Sequence, residues 1–168
     1  MEIWDAYYRD GTLAGVDLIR GEDVPDGLYH LICEVLVCHT DGDYLLMRRD
    51  LNKPVYPGYY EATAGGSALK GEDTWMCISR ELREETGICS EEFQLVAHTI
   101  IDETHCIFDS YVCTTDWEKD KITLQVGETI AYKWISEAEF MEFVNSEEMI
   151  DTQKQRYENY FREKGWIR

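Results

Sequence analysis

Apolar and polar residues alternate along several segments of the chain, and this alternation predicts β-strands. The clearest strand is YHLICEVLVCH (29–39), and DYLLMRR (43–49) follows it across a turn that contains an Asp-Gly dipeptide. Two shorter runs joined by another Asp-Gly dipeptide predict an N-terminal β-hairpin over residues 3–20. Four further segments are predicted as strands: 59–66, 93–101, 105–115 and 121–135.

Helical patterns occupy the middle and the end of the chain. Residues 73–86 lack Pro and Gly, and Gly87 follows them as a residue suited to end a helix in the left-handed conformation. A capping box formed by Ser136 and Glu139 predicts the start of a short helix, and residues 146–165 predict a longer C-terminal helix. Strands on both sides of one central helix, with helices at the end, indicate an α/β fold with a mixed central sheet packed between helices.

The composition restricts the choice of partners. The 168 residues include 34 acidic and 16 basic ones, for a net charge of -18. Because nucleic acids and anionic membranes are bound mainly through Lys and Arg, the chain predicts neither as a partner. Six cysteines without a C-x-x-C pair predict reduced thiols. The sequence contains no linker pattern and therefore predicts a single domain over residues 1–168. It contains no signal peptide pattern and no long apolar run, so a cytoplasmic location is expected.

The central helix carries an unusual concentration of negative charge. Five carboxylates fall within 14 residues: Glu72, Asp73, Glu81, Glu84 and Glu85. Glu81 and Glu85 are four residues apart, a spacing at which like charges on a helix repel by roughly 0.2–0.5 kcal/mol. The segment is either a solvated acidic face or a set of oxygen ligands for a hard cation such as Mg²⁺ or Mn²⁺. The apolar residues Trp75, Ile78 and Leu82 lie on a different face of the same helix.

The spacing of these residues resembles the signature of a known family. Gly66 is followed after five residues by Glu72, and after seven more by RELREETGI (80–88). Over residues 66–88 this pattern resembles the Nudix box, a signature of 23 residues, and the surrounding chain from about residue 5 to 140 resembles a complete Nudix domain. The match favours the cation site over the solvated face.

The resemblance implies a fold, an activity and a set of site residues. The fold is an α/β/α sandwich with a mixed central sheet, here preceded by the N-terminal hairpin and followed by a C-terminal helix. The activity is hydrolysis of a phosphoanhydride in a nucleoside diphosphate linked to another moiety, with Mg²⁺ or Mn²⁺ as cofactor. The implied metal ligands are Glu81, Glu84, Glu85 and the Gly65 carbonyl. Arg80 would orient a glutamate as part of the catalytic machinery, and Gly66, Glu72 and Gly87 would support the loop and helix.

Two roles stay open at this point. The general base is either Glu128, in the later segment LQVGETIAYKW, or Glu81 in the box, and Glu128 is alternatively an ordinary loop carboxylate. Arg48 and Arg49 end a predicted strand, and either is a candidate to bind a substrate phosphate. Because side chains alternate along a strand, only one of these two arginines can face the cleft.

Alternative functions and several properties also stay open. One alternative is a Nudix module that senses a nucleotide without cleaving it. Another is isopentenyl-diphosphate isomerase, whose branch of the superfamily the N-terminal half resembles. That branch carries a catalytic cysteine and a metal-binding histidine where this chain has Ala64-Gly65-Gly66-Ser67. The predicted ligand is a small nucleoside diphosphate derivative of unspecified identity, and the hairpin makes a homodimer conceivable.

Overall fold

A mixed seven-stranded β-sheet forms the centre of the structure, a computed structural model that describes residues 1–168. Its strands are β3 (His30–His39), β4 (Tyr44–Arg49), β5 (Tyr60–Glu61), β6 (Thr63–Ser67), β7 (Gln94–Ile101), β8 (Cys106–Thr115) and β9 (Thr129–Ile135). A separate antiparallel hairpin contains β1 (Ile3–Tyr7) and β2 (Leu13–Ile19). The helices are α1 (Thr74–Thr86), α2 (Glu137–Val144), α3 (Asp151–Arg156) and α4 (Glu158–Glu163). None of them has both the length and the apolar character needed to cross a membrane.

Strand β3 organises the sheet because it pairs along both edges. On one side it is parallel to β8 over its whole length. On the other side it is antiparallel to β6, with Gly65 opposite Glu34, and it meets β4 only at the Cys38–Tyr44 pair. Strand β4 continues the sheet to β9 and β5. This arrangement places the end of β6, and therefore the start of the following loop, beside the centre of the sheet.

The alternation of β3 separates two hydrophobic cores. Its odd-numbered residues, such as Cys33 and Val35, pack with α1 on one face of the sheet. Leu36 packs on the other face with α2, α4 and the C-terminal Trp166. Helices on both faces of a mixed sheet confirm the predicted α/β/α sandwich.

Helix α1 begins and ends as its sequence predicts. The Asp73 side chain accepts a hydrogen bond from the Met76 amide at 2.8 Å, and Gly87 ends the helix with a φ of 81°. The buried face contains Cys77, Ile78, Leu82 and Thr86. Trp75, in the first turn, is 40% exposed and contacts Phe93 edge-on.

The N-terminal hairpin docks on the body of its own chain. Trp4, Ala6 and Leu18 form a small apolar cluster against Leu69, which lies in the loop before α1. At the other end, Arg9 forms two hydrogen bonds with Asp102 at 2.9 and 3.1 Å. The hairpin is therefore fixed at both ends.

Three predicted elements have different boundaries in the structure. The strand predicted over 121–135 begins only at Thr129, because the preceding residues bond elsewhere: the Thr123 amide donates to the carbonyl of Thr86, at the C-terminus of α1. The strand predicted over 59–66 is divided in two, since β5 pairs with β4 and β6 pairs with β3.

The C-terminal helix predicted over 146–165 is two six-residue helices, α3 and α4, separated at Tyr157. Residues 146–150 are irregular, and Met149 and Ile150 in this segment are buried. The buried Tyr157 hydroxyl donates to the Tyr111 carbonyl at 2.8 Å and so fastens the point where the helix is interrupted.

A buried ion pair joins this C-terminal region to the sheet. Arg156 of α3 donates two hydrogen bonds to the Glu34 carboxylate, at 2.6 and 2.9 Å, and the Ser110 hydroxyl donates a third at 2.7 Å. Both charged side chains are at least nine-tenths buried. Because a buried charge without a partner is strongly unfavourable, each member depends on the other.

Replacing Arg156 tests this dependence. Arg156→Met should lower the free energy of unfolding by about 3–5 kcal/mol, because Glu34 would stay buried without its partner. The double variant Glu34→Gln/Arg156→Met should recover much of that loss. Urea unfolding measures both, and Arg162→Met, which breaks an exposed ion pair with Glu158, should change stability by less than about 0.5 kcal/mol. Equal effects of Arg156→Met and Arg162→Met would contradict the prediction.

Candidate active site

A polar cleft of about 530 Å³ lies beside α1, at the end of β6. Its lining is dominated by charge, with six carboxylates and four cations among the 17 lining residues. The carboxylates are Glu2, Glu61, Glu81, Glu84, Glu85 and Glu128, and the cations are Arg20, Arg49, Lys53 and Arg80. Residues far apart in the chain, from Glu2 to Thr129, therefore meet in one cleft.

The Arg80 guanidinium is the structural centre of this cleft. It forms a bidentate pair with Glu72 at 2.7 and 2.9 Å. It also donates to Glu81 at 2.7 Å, to Glu84 at 3.2 Å and to the Ser67 carbonyl at 3.1 Å. These bonds use all five N–H donors of the arginine. One side chain thus ties the end of β6, the loop and two turns of α1 together.

Arg80 affects its partners differently. Burial alone would raise the pKa of Glu72, but hydrogen bonds from Arg80 and from the Leu69 amide outweigh burial and lower that pKa. Burial raises the pKa of Glu81 despite its bond to Arg80. Glu81 approaches the backbone closely, since a Cβ atom added at Gly66 would lie 2.5 Å from its Oε1. Gly66 therefore leaves the space that the Glu81 carboxylate occupies.

Glu85 is the most deeply buried carboxylate of the cleft. It accepts a hydrogen bond from the Gly65 amide at 3.1 Å and has no arginine or lysine partner. Burial raises its pKa well above the usual range, and the nearby charges of Glu61 and Glu81 raise it further. Glu61 also has a raised pKa because of burial, although Arg49 partly offsets the effect. The floor of the cleft thus crowds carboxyl groups together, and Glu85 among them has no cationic partner.

The far side of the cleft consists of ion pairs from two loops. Lys53, in the loop after β4, pairs with Glu128, which immediately precedes β9. Arg49 pairs with Glu61 and donates to the Val55 carbonyl at 3.0 Å. Arg48 lies outside the cleft, where it donates to the Gly58 carbonyl at 3.1 Å. Of the two candidate arginines, the strand register turns only Arg49 toward the cleft.

The cleft offers the oxygen ligands that a hard cation requires. The candidate side-chain ligands are carboxylate oxygens. The raised pKa values of Glu81 and Glu85 indicate that a nearby cation would stabilise their charged forms. No three acidic, histidine or cysteine side chains already converge on one point. Glu81 and Glu84 are instead held by Arg80, so binding a shared cation requires their side chains to turn.

Most of the site residues predicted from the sequence line the cleft, and several further lining residues were not predicted. The structure brings Gly65, Arg80, Glu81, Glu84 and Glu85 together with Glu128, which approaches from a distant loop. The cleft residues that the sequence did not single out include Glu61, Lys53, Glu2, Trp4 and Arg20. Glu61 carried a signal, namely an isolated charge in a strand segment close to the box. The others lie in loops or in the hairpin, where nothing local marks them.

The sandwich and the three glutamates that its central helix presents to the charged cleft are the arrangement that the resemblance of residues 66–88 implies. Residues 29–159 match the family model described as the NUDIX domain. An uncharacterized Nudix hydrolase of Listeria monocytogenes is 31% identical over 150 residues, which cover 89% of each chain. This chain therefore belongs to the Nudix family and is a Nudix hydrolase, an enzyme class that acts on nucleoside diphosphate derivatives and generally needs divalent cations.

Other comparisons agree with the fold. A crystal structure from Deinococcus radiodurans has a TM-score of 0.68 at 15% identity and covers 86% of this chain and 89% of its own. The NUDIX domain of Shewanella oneidensis NrtR, solved with ADP ribose, has a TM-score of 0.55 at 15% identity, covering 68% and 77%. An isopentenyl-diphosphate Δ-isomerase of Corynebacterium diphtheriae is 24% identical over 127 residues, 70% of this chain and 69% of its own.

Two neighbouring glycines should respond differently to alanine. A Cβ atom at Gly65 would lie 2.2 Å from the Cys33 carbonyl oxygen, which belongs to the paired backbone of β3. Gly65→Ala should therefore lower the free energy of unfolding by about 1–3 kcal/mol. Gly66→Ala meets only the end of the Glu81 side chain, so it should reduce hydrolysis with a smaller loss of stability. Urea unfolding and hydrolysis assays measure the two effects, and equal loss of stability in both variants would contradict this account.

Proposed function

We propose that this protein hydrolyses a phosphoanhydride bond in a nucleoside diphosphate linked to another moiety, using Mg²⁺ or Mn²⁺. The observation that carries the proposal is the crowding of carboxyl groups at the floor of the cleft. Glu85 is buried beside Glu61 and Glu81 without a cationic partner of its own. A divalent cation would relieve that repulsion, and an anionic diphosphate would otherwise be repelled by the same carboxylates.

The candidate ligands are Glu81, Glu84, Glu85 and the Gly65 carbonyl. A divalent ion bound there would neutralise diphosphate charge and lower the pKa of a water molecule toward neutrality. Arg80 would limit the rotamers of Glu81 and Glu84, since it bonds to both. Gly65 would serve through its carbonyl, while its amide already orients Glu85.

The remaining residues would bind substrate and move the proton. Arg49 lines the cleft beside Lys53, and both can donate to phosphate oxygens. Glu128 would accept the proton of the attacking water, with Lys53 holding its carboxylate at the edge of the cleft. Glu81 is the alternative base. The isomerase alternative has little support, because Ala64-Gly65-Gly66-Ser67 at the start of the box has neither a thiol nor an imidazole.

Glu85→Gln tests the cation site. It should abolish metal-dependent hydrolysis, a loss of about 1,000-fold or more, because transition-state stabilisation of several kcal/mol is removed. The assay is a panel of nucleoside triphosphates, ADP-ribose, sugar nucleotides and dinucleoside polyphosphates with Mg²⁺ or Mn²⁺, scored by phosphate release after phosphatase treatment. The wild type should also gain about 2.7 kcal/mol of stability at 100 times the metal Kd, and Glu85→Gln should lose this gain without unfolding.

Glu91→Gln is the matched control, since Glu91 follows α1 but lies outside the cleft. It should keep both hydrolysis and the metal-dependent rise in melting temperature. Near-normal turnover in Glu85→Gln would refute the site, and tight nucleotide binding by the wild type without turnover would favour the sensor alternative.

Comparison of Glu128→Gln with Glu81→Gln tests the identity of the base. Glu128→Gln should slow hydrolysis by about 10²–10⁴-fold and retain the metal-dependent rise in melting temperature, because Glu128 would not bind the cation. Glu81→Gln should lose both properties. If Glu128→Gln turns over at the wild-type rate, Glu128 is a loop carboxylate and the role of base passes to Glu81.

A further inference from the structure

The N-terminal hairpin supplies one wall of the cleft from outside the region that matches the family model. That region begins at residue 29, whereas Glu2, Trp4 and Arg20 line the cleft together with the box glutamates. We call these three residues the hairpin wall. They lie at the open end of the hairpin, where the Arg20 amide donates to the Glu2 carbonyl at 3.0 Å. The part of the cleft that they form is therefore a feature of this chain's own N-terminal segment.

The hairpin wall is held rigidly against the loop that precedes α1. The Lys70 amide donates to the Ile3 carbonyl at 2.9 Å, and the Gly71 amide donates to Asp5 at 2.7 Å. The Lys70 ammonium also pairs with Asp17 of β2 at 2.7 Å. These bonds fix the position of the wall relative to the box, so its side chains are available at a defined place.

Glu2 organises the hairpin wall. One of its carboxylate oxygens accepts a hydrogen bond from the Trp4 indole at 2.7 Å, and the other accepts from Arg20 at 3.0 Å. The Trp4 ring is 8% exposed and stacks on His30, with 4.4 Å between the ring centroids. Because one ring face is covered and the indole N–H is already bonded, Trp4 is not a free platform for a nucleobase. The wall thus offers charge to a ligand rather than an aromatic surface.

Arg20 is the least engaged cation of the cleft. Arg80 uses all five of its donors, while Arg49 and Lys53 are mostly buried in pairs with Glu61 and Glu128. The Arg20 side chain is 63% exposed and makes a single side-chain hydrogen bond, to Glu2. An arginine carries five N–H donors in a planar fork that matches phosphate. Arg20 therefore keeps most of its donors for a ligand.

Arg20 belongs to a different ion pair from the other cations of the cleft. Arg20 pairs with Glu2 at the two ends of the N-terminal hairpin, whereas Lys53 and Glu128 pair with each other from loops of the central sheet. The hairpin wall and the pairs around Lys53 are thus separate groups along the cleft. A diphosphate bound at the box carboxylates would leave Arg20 facing a different part of the same substrate.

We propose that Arg20 binds an additional phosphate group of the substrate, outside the scissile diphosphate, with Glu2 as its positioning residue. This inference rests on the proposed function. It predicts that the preferred substrates carry a phosphate monoester or a longer phosphate chain besides the bond that is cleaved. Arg20 then selects among diphosphate compounds by charge.

Matched substrate pairs test the role of Arg20. ADP-ribose is compared with its 2′-phosphorylated derivative, and diadenosine triphosphate with diadenosine pentaphosphate, each with Mg²⁺ and Mn²⁺. The wild type should favour the more phosphorylated member of at least one pair by about 10- to 100-fold in kcat/KM. Arg20→Gln should bring that ratio close to 1, mainly through KM, and Arg20→Lys should give an intermediate ratio because it keeps the charge but not the fork.

Arg9→Gln is the control, because Arg9 lies on the same hairpin, is also 63% exposed and pairs with one carboxylate, but does not line the cleft. It should keep the wild-type ratio. Both members of a pair are measured on one preparation, so partial unfolding cancels from the ratio. A wild type without preference in either pair, or a preference that Arg20→Gln retains, overturns the role of Arg20. Failure to cleave any diphosphate would instead overturn the proposed function.

Discussion

The bonds of the Arg80 guanidinium are the interaction on which the site depends. A planar group with five donors is satisfied only if the end of β6, the loop carrying Glu72 and two successive turns of α1 surround it. A lysine has three donors and no planar fork, so it could not reach the same set of partners. The same bonds offset the repulsion between Glu81 and Glu84. Arg80 thus sets both the local fold and the direction of the carboxylates.

Arg80 does not reach the most deeply buried carboxyl group of the cleft. Glu85 lies deeper, beside Glu61, and receives only an amide hydrogen bond from Gly65. The carboxylates bonded to Arg80 therefore have a cationic partner within the protein, and Glu85 does not. Under the proposed function, this division would let a protein with a net charge of -18 bind an anionic substrate through a cation at Glu85. Arg80 stabilises the surrounding fold, and under the proposed function a divalent cation would supply the positive charge that Glu85 lacks.

Local patterns predicted the elements well wherever local bonds decide them. Helix α1 begins at the Asp73 cap and ends at Gly87, and both features depend on residues within one turn. The failures lie where tertiary partners compete. Thr123 bonds to the end of α1 instead of to a strand, and the buried Tyr157 divides the C-terminal helix. In both places the sequence pattern predicts a continuous strand or helix, but a hydrogen bond to a residue distant in the chain is made instead.

The sequence alone determined the box, because the spacing of Arg80, Glu81, Glu84 and Glu85 on one helix is a matter of residues per turn. It also determined the family, the sandwich and the kind of bond cleaved. Only the tertiary structure decided which other charges face those carboxylates. Glu61, Lys53 and Glu128 arrive through strand pairing, and Glu2 and Arg20 through the docking of a hairpin. Such contacts join residues far apart in the chain, so the spacing of residues within one helix or strand does not predict them.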